Sequence, residues 1–400
     1  MTGRWLAAAG IALLLAPAGA SDVRDLPVSR SGLTAALQAV VEDDGAPGVA
    51  ALVYRDGQLV HQEIAGKIDI EEPLPVASAS KWIAAAVVMT FVDEGRLCLD
   101  EPIGLRLATG APDAGRITLR QILSFTTGQG SIENFADLSQ PPDISLAESA
   151  ARLLARPFED PPGTVFKYGS GAMQIAGALV EQITGQRWEA VFQERLAGPL
   201  GMTRSWWTHP LHPRLDPGDV TNPILQGGLV TTAADYGRFL TMLANGGVHG
   251  GSRILSERAV EQMETLQTAE VELAYCPRGC AGWSHSGQVV RPGLTAAERH
   301  NGGQPAGGHL YAVEGYALGN WCERADRSGR CTLVSSPGAL GTWPWIDRHS
   351  GVYGIFVMRH RYSRVAENLF VAREAVRSSM HLPVSPSSSK AAAGAADAND

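Results

Sequence analysis

Ser78 and Lys81 are the residues whose types and spacing best suit nucleophilic catalysis in this sequence. They lie at the start of an apolar stretch, 79–94 (ASKWIAAAVVMTFVDE), which predicts a buried helix followed by Gly95 as its C-cap. A spacing of three residues places both side chains on one helix face. A lysine can take the proton of a serine hydroxyl if desolvation favours the neutral amine. The helix N-terminus would supply N–H groups that stabilise developing negative charge.

The surroundings of this pair matter, because Ser-x-x-Lys alone is a weak pattern. Ser387 and Lys390 have the same spacing within 384–400 (VSPSSSKAAAGAADAND), a tail that we expect to be disordered. Lys81 instead precedes Trp-Ile-Ala-Ala-Ala-Val-Val-Met, where a charge is costly without a purpose. From this segment alone, Ser78 as a helix N-cap and Lys81 as a surface lysine remain open alternatives.

The elements around this pair are predicted from periodicity and from Gly and Pro positions. A helix near 32–43 precedes a hairpin whose strands are Gly48–Tyr54 and Gln58–Lys67. Towards the C-terminus, strands are expected over 338–346 and 352–358, with a turn at 347–351 and a helix over 362–380. Helical patterns fill the middle of the chain, at 118–125, 145–155, 171–184, 188–197, 232–245 and 255–266.

Strands at both ends and helices between them predict an α/β fold of the α+β type. We expect one antiparallel sheet built from both chain ends and flanked by helices. A mainly helical subdomain, roughly 100–265, would lie beside the sheet, with the active site at their junction. The stretch 267–335 is a possible insertion, and the whole domain would cover 32–380.

Composition and charge exclude several classes of protein. The chain has 400 residues, 44% of them hydrophobic, and a formal net charge of −8. No run of Lys or Arg is present, so neither a nucleic acid nor an anionic membrane surface is an expected partner. The composition is that of a globular protein.

The N-terminus predicts export. Arg4 precedes an apolar core, Leu6–Leu15, and the small residues 18–20 (AGA) form a cleavage site, so 1–20 is interpreted as a signal peptide and 21–31 as a leader. The apolar core is too short for a membrane span. We therefore expect a secreted or periplasmic protein.

Five cysteines fit an exported chain. Cys276 and Cys280, and Cys322 and Cys331, form two local pairs in the simplest pairing, although four cysteines allow three connectivities. Cys98 would remain as a buried free thiol. The sequence contains no metal-binding or nucleotide-binding motif, and no metal or cofactor is expected.

Several segments together resemble the serine β-lactamase-related family, which includes class C β-lactamases, D-peptidases and family VIII carboxylesterases. The resemblance covers about 32–375 and implies the β-lactamase/transpeptidase-like fold. It is carried by VASASKWIAAAVVMTFVDEGRLCLDEPI, TLRQILSFTTG, FKYGSGAMQIAGALVEQITGQRWEAVFQERLAGPLGM, NPILQGGLVTTAADYGRFLTMLANGG and SSPGALGTWPWIDR.

This resemblance implies a role for each matched residue. Ser78 would be the acylated nucleophile, Lys81 its proton partner and Tyr168 the tyrosine of the second motif, which can shuttle a proton to the leaving group. The N–H groups of Ser78 and Ala339 would form the oxyanion hole.

Two motifs depart from the family pattern. Ser170 stands where the family often has Asn, and its hydroxyl has less reach to a substrate amide. Ser336, Pro337 and Gly338 replace the K-T-G or H-x-G motif, so the usual cation for a substrate carboxylate is missing. Ser336 and Gly338 would still contact substrate, with Gly338 allowing close approach to the strand.

Three aromatic residues near these motifs need a separate interpretation. Phe125 stands where many relatives have His, and we expect a structural side chain there. Trp343 and Trp345, like Phe125, are expected in the core rather than lining an acyl pocket.

These departures favour a small ester or amide over a carboxylate-bearing penicillin. The sequence thus predicts a monomeric serine hydrolase that acts through an acyl-enzyme on a small-molecule ester, amide or β-lactam, with esterase-like activity favoured. A β-lactamase or a D-amino-acid peptidase or carboxypeptidase is the alternative. A catalytically silent binding protein of the same fold is the alternative from another class.

Overall fold

The computed structural model describes residues 30–107, 114–130, 141–169, 171–210, 215–275 and 313–379. The predictions for the signal peptide, the C-terminal tail, Ser170, Cys276 and Cys280 concern residues outside these ranges.

Most of the helices lie in the middle of the described chain. They are α1 (Arg30–Glu42), α2 (Ser80–Asp93), α3 (Leu119–Leu123), α4 (Leu146–Leu154), α5 (Met173–Thr184), α6 (Trp188–Phe192), α7 (Gly198–Leu200), α8 (Ala233–Ala244), α9 (Glu257–Met263) and α10 (Tyr362–Ser379). Side-chain caps explain where four of them begin, because a hydroxyl before each helix accepts a backbone N–H of its first turn. These caps are Thr118, Ser145, Thr232 and Ser256.

The strands lie mostly near the two ends of the chain. They are β1 (Gly48–Arg55), β2 (Gln58–Gly66), β3 (Leu74–Pro75), β4 (Val165–Lys167), β5 (Trp206–Trp207), β6 (Leu229–Thr231), β7 (Val248–His249), β8 (Ser252–Arg253), β9 (Glu272–Tyr275), β10 (Gly315–Tyr316), β11 (Trp321–Ala325), β12 (Cys331–Ser335), β13 (Trp343–Asp347) and β14 (Val352–Met358).

Seven of these strands form one antiparallel sheet, in the order β10-β11-β12-β13-β14-β1-β2. The N-terminal strand β1 pairs with the C-terminal strand β14, with Val49 opposite Met358 and Arg55 opposite Val352. This arrangement confirms the predicted sheet from both chain ends.

The sheet separates two hydrophobic cores. One core joins it to the terminal helices α1 and α10 through residues such as Leu37 and Val365, and it contains Trp343 and Trp345. The other core joins the opposite side to α2, α5 and α8. Because α2 is apolar all round, almost its whole surface is buried, which fixes the residues at its N-terminus.

Two local predictions are wrong. The strand expected over 338–346 begins only at Trp343, because the amide of Gly338 donates to Thr342 O at 2.7 Å and closes a turn that includes Gly341 with φ +97°. Cys98 is free but exposed, since its neighbours Leu97 and Leu99 take the buried positions of this loop.

The pairing of Cys322 with Cys331 is confirmed, and the disulfide joins the neighbouring strands β11 and β12. Within the described ranges, each helix is too short or too polar to cross a membrane.

Candidate active site

Ser78 lies in a single 3₁₀ turn, Ala77–Ala79, immediately before α2. Its predecessor Ala77 has φ +46°, a left-handed conformation that an alanine rarely adopts. Such conformations occur at functional sites where the surroundings hold the backbone in place. The turn leaves Ser78 half-buried, next to the amino end of a helix.

Lys81 reaches Ser78 from the first turn of α2. Its Nζ lies 2.9 Å from Ser78 Oγ and donates to Gln226 O at 2.8 Å. The residue is only 3% exposed, and burial lowers the pKa of its amine from 10.5 to about 7. A substantial fraction of Lys81 is therefore neutral at physiological pH and able to accept the Ser78 proton.

Tyr168 follows strand β4 and joins this pair. The Lys81 Nζ lies 4.7 Å from the centroid of the Tyr168 ring. The ring stacks on Trp321 with centroids 5.1 Å apart, and it packs against Phe125 at 5.2 Å. The structure thus brings together the three residues that the resemblance implies as catalytic.

Phe125 packs against the ring of Tyr168. It is 1% exposed and has φ +56°, and its carbonyl accepts the Lys167 amide at 3.0 Å. These contacts agree with the expected structural role.

Lys167 is also buried, but its ammonium group is paired with two carboxylates. Its Nζ lies 2.5 Å from Glu159 Oε2 and 2.6 Å from Asp160 Oδ2. Two carboxylates therefore balance this cation beside the site.

The turn between β12 and β13 packs against the turn that holds Ser78. Ser336 Oγ donates to Ser78 O at 3.3 Å, and the Ser336 side chain is buried. A Cβ on Gly338 would lie 2.1 Å from Val76 O. Packing against the turn Ala77–Ala79 therefore requires a glycine here, which is a different reason from the substrate approach expected from the sequence.

Ala339 follows Gly338 and is exposed. The backbone of Gly338 lies close to the turn Ala77–Ala79, because a Cβ on Gly338 would be 3.4 Å from Ala79 N. The amides of Ser78 and Ala339, which are expected to form the oxyanion hole, therefore belong to two turns in direct contact.

Sequence reasoning missed the segment around Gln226, whose backbone contacts Lys81 and Ser80. Besides the Gln226 carbonyl, Leu229 contributes its amide to Ser80 Oγ at 3.0 Å and its carbonyl to Val76 N at 3.0 Å. Gln174 holds the same segment, because its side chain accepts Leu225 N at 2.8 Å and donates to Pro223 O at 3.0 Å.

A possible signal for this support was the segment NPILQGGLVTT, which carries part of the resemblance. Backbone acceptors have no residue-type signature, so its role was not visible. Within the described ranges, no cluster of three His, Cys, Asp or Glu side chains is arranged to hold a metal ion.

The sequence and the fold of this chain are similar to those of known proteins. The family model described as Beta-lactamase matches residues 33–376. Protein Rv1367c of Mycobacterium tuberculosis is 25% identical over 82% of this chain and 90% of its own length. Esterase EstB of Burkholderia gladioli is 31% identical over 39% of this chain and 45% of its own. The crystal structure of a putative beta-lactamase from Bacteroides dorei has a TM-score of 0.72 and 29% identity, covering 88% of this chain and 99% of that one.

Proposed function

The chain belongs to the Beta-lactamase family, and we propose that it is a secreted serine hydrolase that acts on a small ester or amide through an acyl-enzyme at Ser78. The contact of 2.9 Å between Lys81 Nζ and Ser78 Oγ carries this proposal. A buried lysine with a pKa of about 7 can take the proton of the neighbouring serine and so activate the serine as a nucleophile, a pair that a binding protein does not need.

The reaction begins with proton transfer from Ser78 Oγ to the neutral amine of Lys81. The Ser78 oxygen then attacks the carbonyl carbon of the substrate, and the N–H groups of Ser78 and Ala339 stabilise the resulting oxyanion. Tyr168 gives a proton to the leaving group as the bond to it breaks, and receives one from Lys81. Water then attacks the acyl-enzyme, which releases the acid and restores the Ser78 hydroxyl.

The substrate is proposed to carry no carboxylate beside the reacting carbonyl. The third-motif position holds Ser336, whose hydroxyl is engaged by the Ser78 carbonyl. No cation is therefore offered at that position to pair with an anion. The partly similar relative EstB is named as an esterase, which agrees with an ester substrate.

Secretion rests on two observations. The N-terminal sequence has the features of a signal peptide. A disulfide between Cys322 and Cys331 suits an oxidising compartment.

We propose that the protein acts as a monomer.

The test is intact mass spectrometry after separate incubations with a fluorophosphonate, an activated short-chain ester and a chromogenic cephalosporin. We expect a fluorophosphonate adduct mapped to Ser78 and turnover of the ester without turnover of the cephalosporin. Ser78→Ala should lose both labelling and turnover, whereas Ser252→Ala, which removes an exposed hydroxyl on β8, should lose neither.

Other outcomes would change the assignment. Cephalosporin turnover would favour a β-lactamase or D-peptidase. Folded protein that gives no adduct with any of the three compounds would refute the hydrolase and favour a silent binding protein.

A further inference from the structure

The turn Ala77–Ala79, which contains Ser78 and is called the nucleophile turn from here on, is held by side-chain hydroxyl groups. Each of its three successive carbonyl groups accepts a hydrogen bond from a buried hydroxyl. The bonds are Ser80 Oγ to Ala77 O at 2.6 Å, Ser336 Oγ to Ser78 O at 3.3 Å, and Tyr236 OH to Ala79 O at 2.8 Å.

The three hydroxyls come from different parts of the fold. Ser80 belongs to α2, Tyr236 to α8, and Ser336 to the turn after β12. Ser80 and Tyr236 are fully buried and Ser336 is 3% exposed. Elements that are far apart in sequence therefore meet on one turn.

Two of the donors are themselves fixed in place. Ser80 Oγ also accepts Leu229 N at 3.0 Å, which ties it to β6. The Tyr236 ring meets Phe239 edge-on with centroids 5.6 Å apart, and burial raises the pKa of the Tyr236 hydroxyl well above its ordinary value. The tyrosine therefore remains protonated and can only donate to Ala79 O.

The turn needs such support because Ala77 is in a strained conformation, with φ +46°. A strained backbone persists only when its surroundings determine it from several sides. If the turn relaxed, Ser78 Oγ would move relative to Lys81 Nζ, and the Ser78 amide would rotate. Misplacement of about 1 Å can cost about 100-fold in rate.

We propose that Ser80, Tyr236 and Ser336 are positioning residues for acylation, forming a hydroxyl clamp that aligns Ser78 with Lys81 and with the oxyanion site. The clamp acts through the backbone of the nucleophile turn. Because the Ser336 hydroxyl donates to Ser78 O, this residue is assigned a positioning role in place of the substrate contact expected from the sequence. This inference rests on the proposed hydrolase function for its kinetic consequence, whereas its structural consequence can be measured without turnover.

The test compares Tyr236→Phe with Tyr353→Phe. Each variant deletes one buried tyrosine hydroxyl. Tyr236 lies on α8, and Tyr353 lies on β14, where its hydroxyl bonds to Thr241 Oγ1 of α8 at 3.0 Å. Only Tyr236 contacts the nucleophile turn in this pair. The substitutions preserve ring shape, so any general destabilisation should be similar for the two.

Three quantities are measured: the acylation rate with fluorophosphonate, kcat and KM for the activated ester, and amide hydrogen exchange of the peptide spanning 74–82. Tyr236→Phe should lower the acylation rate and kcat about 10-fold or more, with KM within about twofold. It should also speed exchange in that peptide. Tyr353→Phe should leave all three near wild-type values, and melting temperatures of both variants check folding.

Two results would overturn the clamp. One is unchanged hydrogen exchange over 74–82 in Tyr236→Phe. The other is an acylation rate that stays at the wild-type value or falls equally in both variants. Failure of wild-type protein to be labelled at Ser78 would refute the hydrolase, and hydrogen exchange would then decide the clamp alone.

Discussion

Replacing Lys81 by Met should stabilise the folded protein at neutral pH while abolishing turnover. Lowering the pKa of this lysine from 10.5 to about 7 corresponds to about 5 kcal/mol of desolvation cost, since each pKa unit is worth about 1.4 kcal/mol. Methionine has a similar length and no charge to desolvate. It leaves the Gln226 carbonyl without its donor, which costs about 1–3 kcal/mol. A net gain of about 2–4 kcal/mol in the free energy of unfolding follows.

The gain should depend on pH in a defined direction. Between pH 7 and 10.5 the unfolded wild-type chain keeps the Lys81 proton and the folded chain has lost it. Wild-type stability should therefore rise with pH in this window, relative to Lys81→Met, by about 1.4 kcal/mol per pH unit. Below pH 7 both states are protonated, and the difference between the two proteins should be constant.

Urea unfolding of both proteins at pH 6, 7, 8 and 9 measures this difference. Lys67→Met, which removes an exposed lysine, is the matched control. Its difference in unfolding free energy from the wild type should not change with pH. A wild-type protein that is more stable than Lys81→Met at pH 7, or a stability difference that does not change between pH 7 and 9, would refute a desolvated Lys81.

Two further predictions concern the same site. The kcat/KM for a neutral ester should rise about tenfold per pH unit below pH 7 and level off near pH 8, because neutral Lys81 is the proposed base. A pH–rate profile with its rise near pH 10 would contradict this. Gly338→Ala should slow fluorophosphonate labelling at least about tenfold and lower stability by about 1–3 kcal/mol, because its Cβ would lie 2.1 Å from Val76 O. Gly351→Ala is the control for labelling: this exposed glycine has φ +69°, so the alanine strains its own turn, but its Cβ would meet no atom within 4 Å. Equal labelling rates in the two variants would contradict the packing argument.

Much of the fold could be predicted because local signals agree with it. The run of apolar residues after Lys81 specifies a buried helix, and the Asp56-Gly57 turn specifies the first hairpin. The strand expected over 338–346 failed because its apolar residues conceal a turn at Gly341, whose positive φ is a property of the folded loop.

The site could be predicted only where side-chain chemistry is visible in sequence. Ser78 and Lys81 follow from spacing, and Tyr168 needed the family resemblance. Gln226 contributes a backbone carbonyl from 145 residues beyond Lys81, so neither its residue type nor its position revealed its role. Tyr236 contacts Ala79 across 157 residues and is likewise a product of tertiary structure.

The pairing of β1 with β14 has a consequence for how this protein folds. Val49 and Met358 are register partners although about 300 residues separate them, so loop-closure entropy must be overcome before this pairing contributes any free energy. Until β14 has been synthesised, β1 has an open edge that can pair with another chain. A truncation before Val352 should therefore produce aggregation rather than a smaller folded domain.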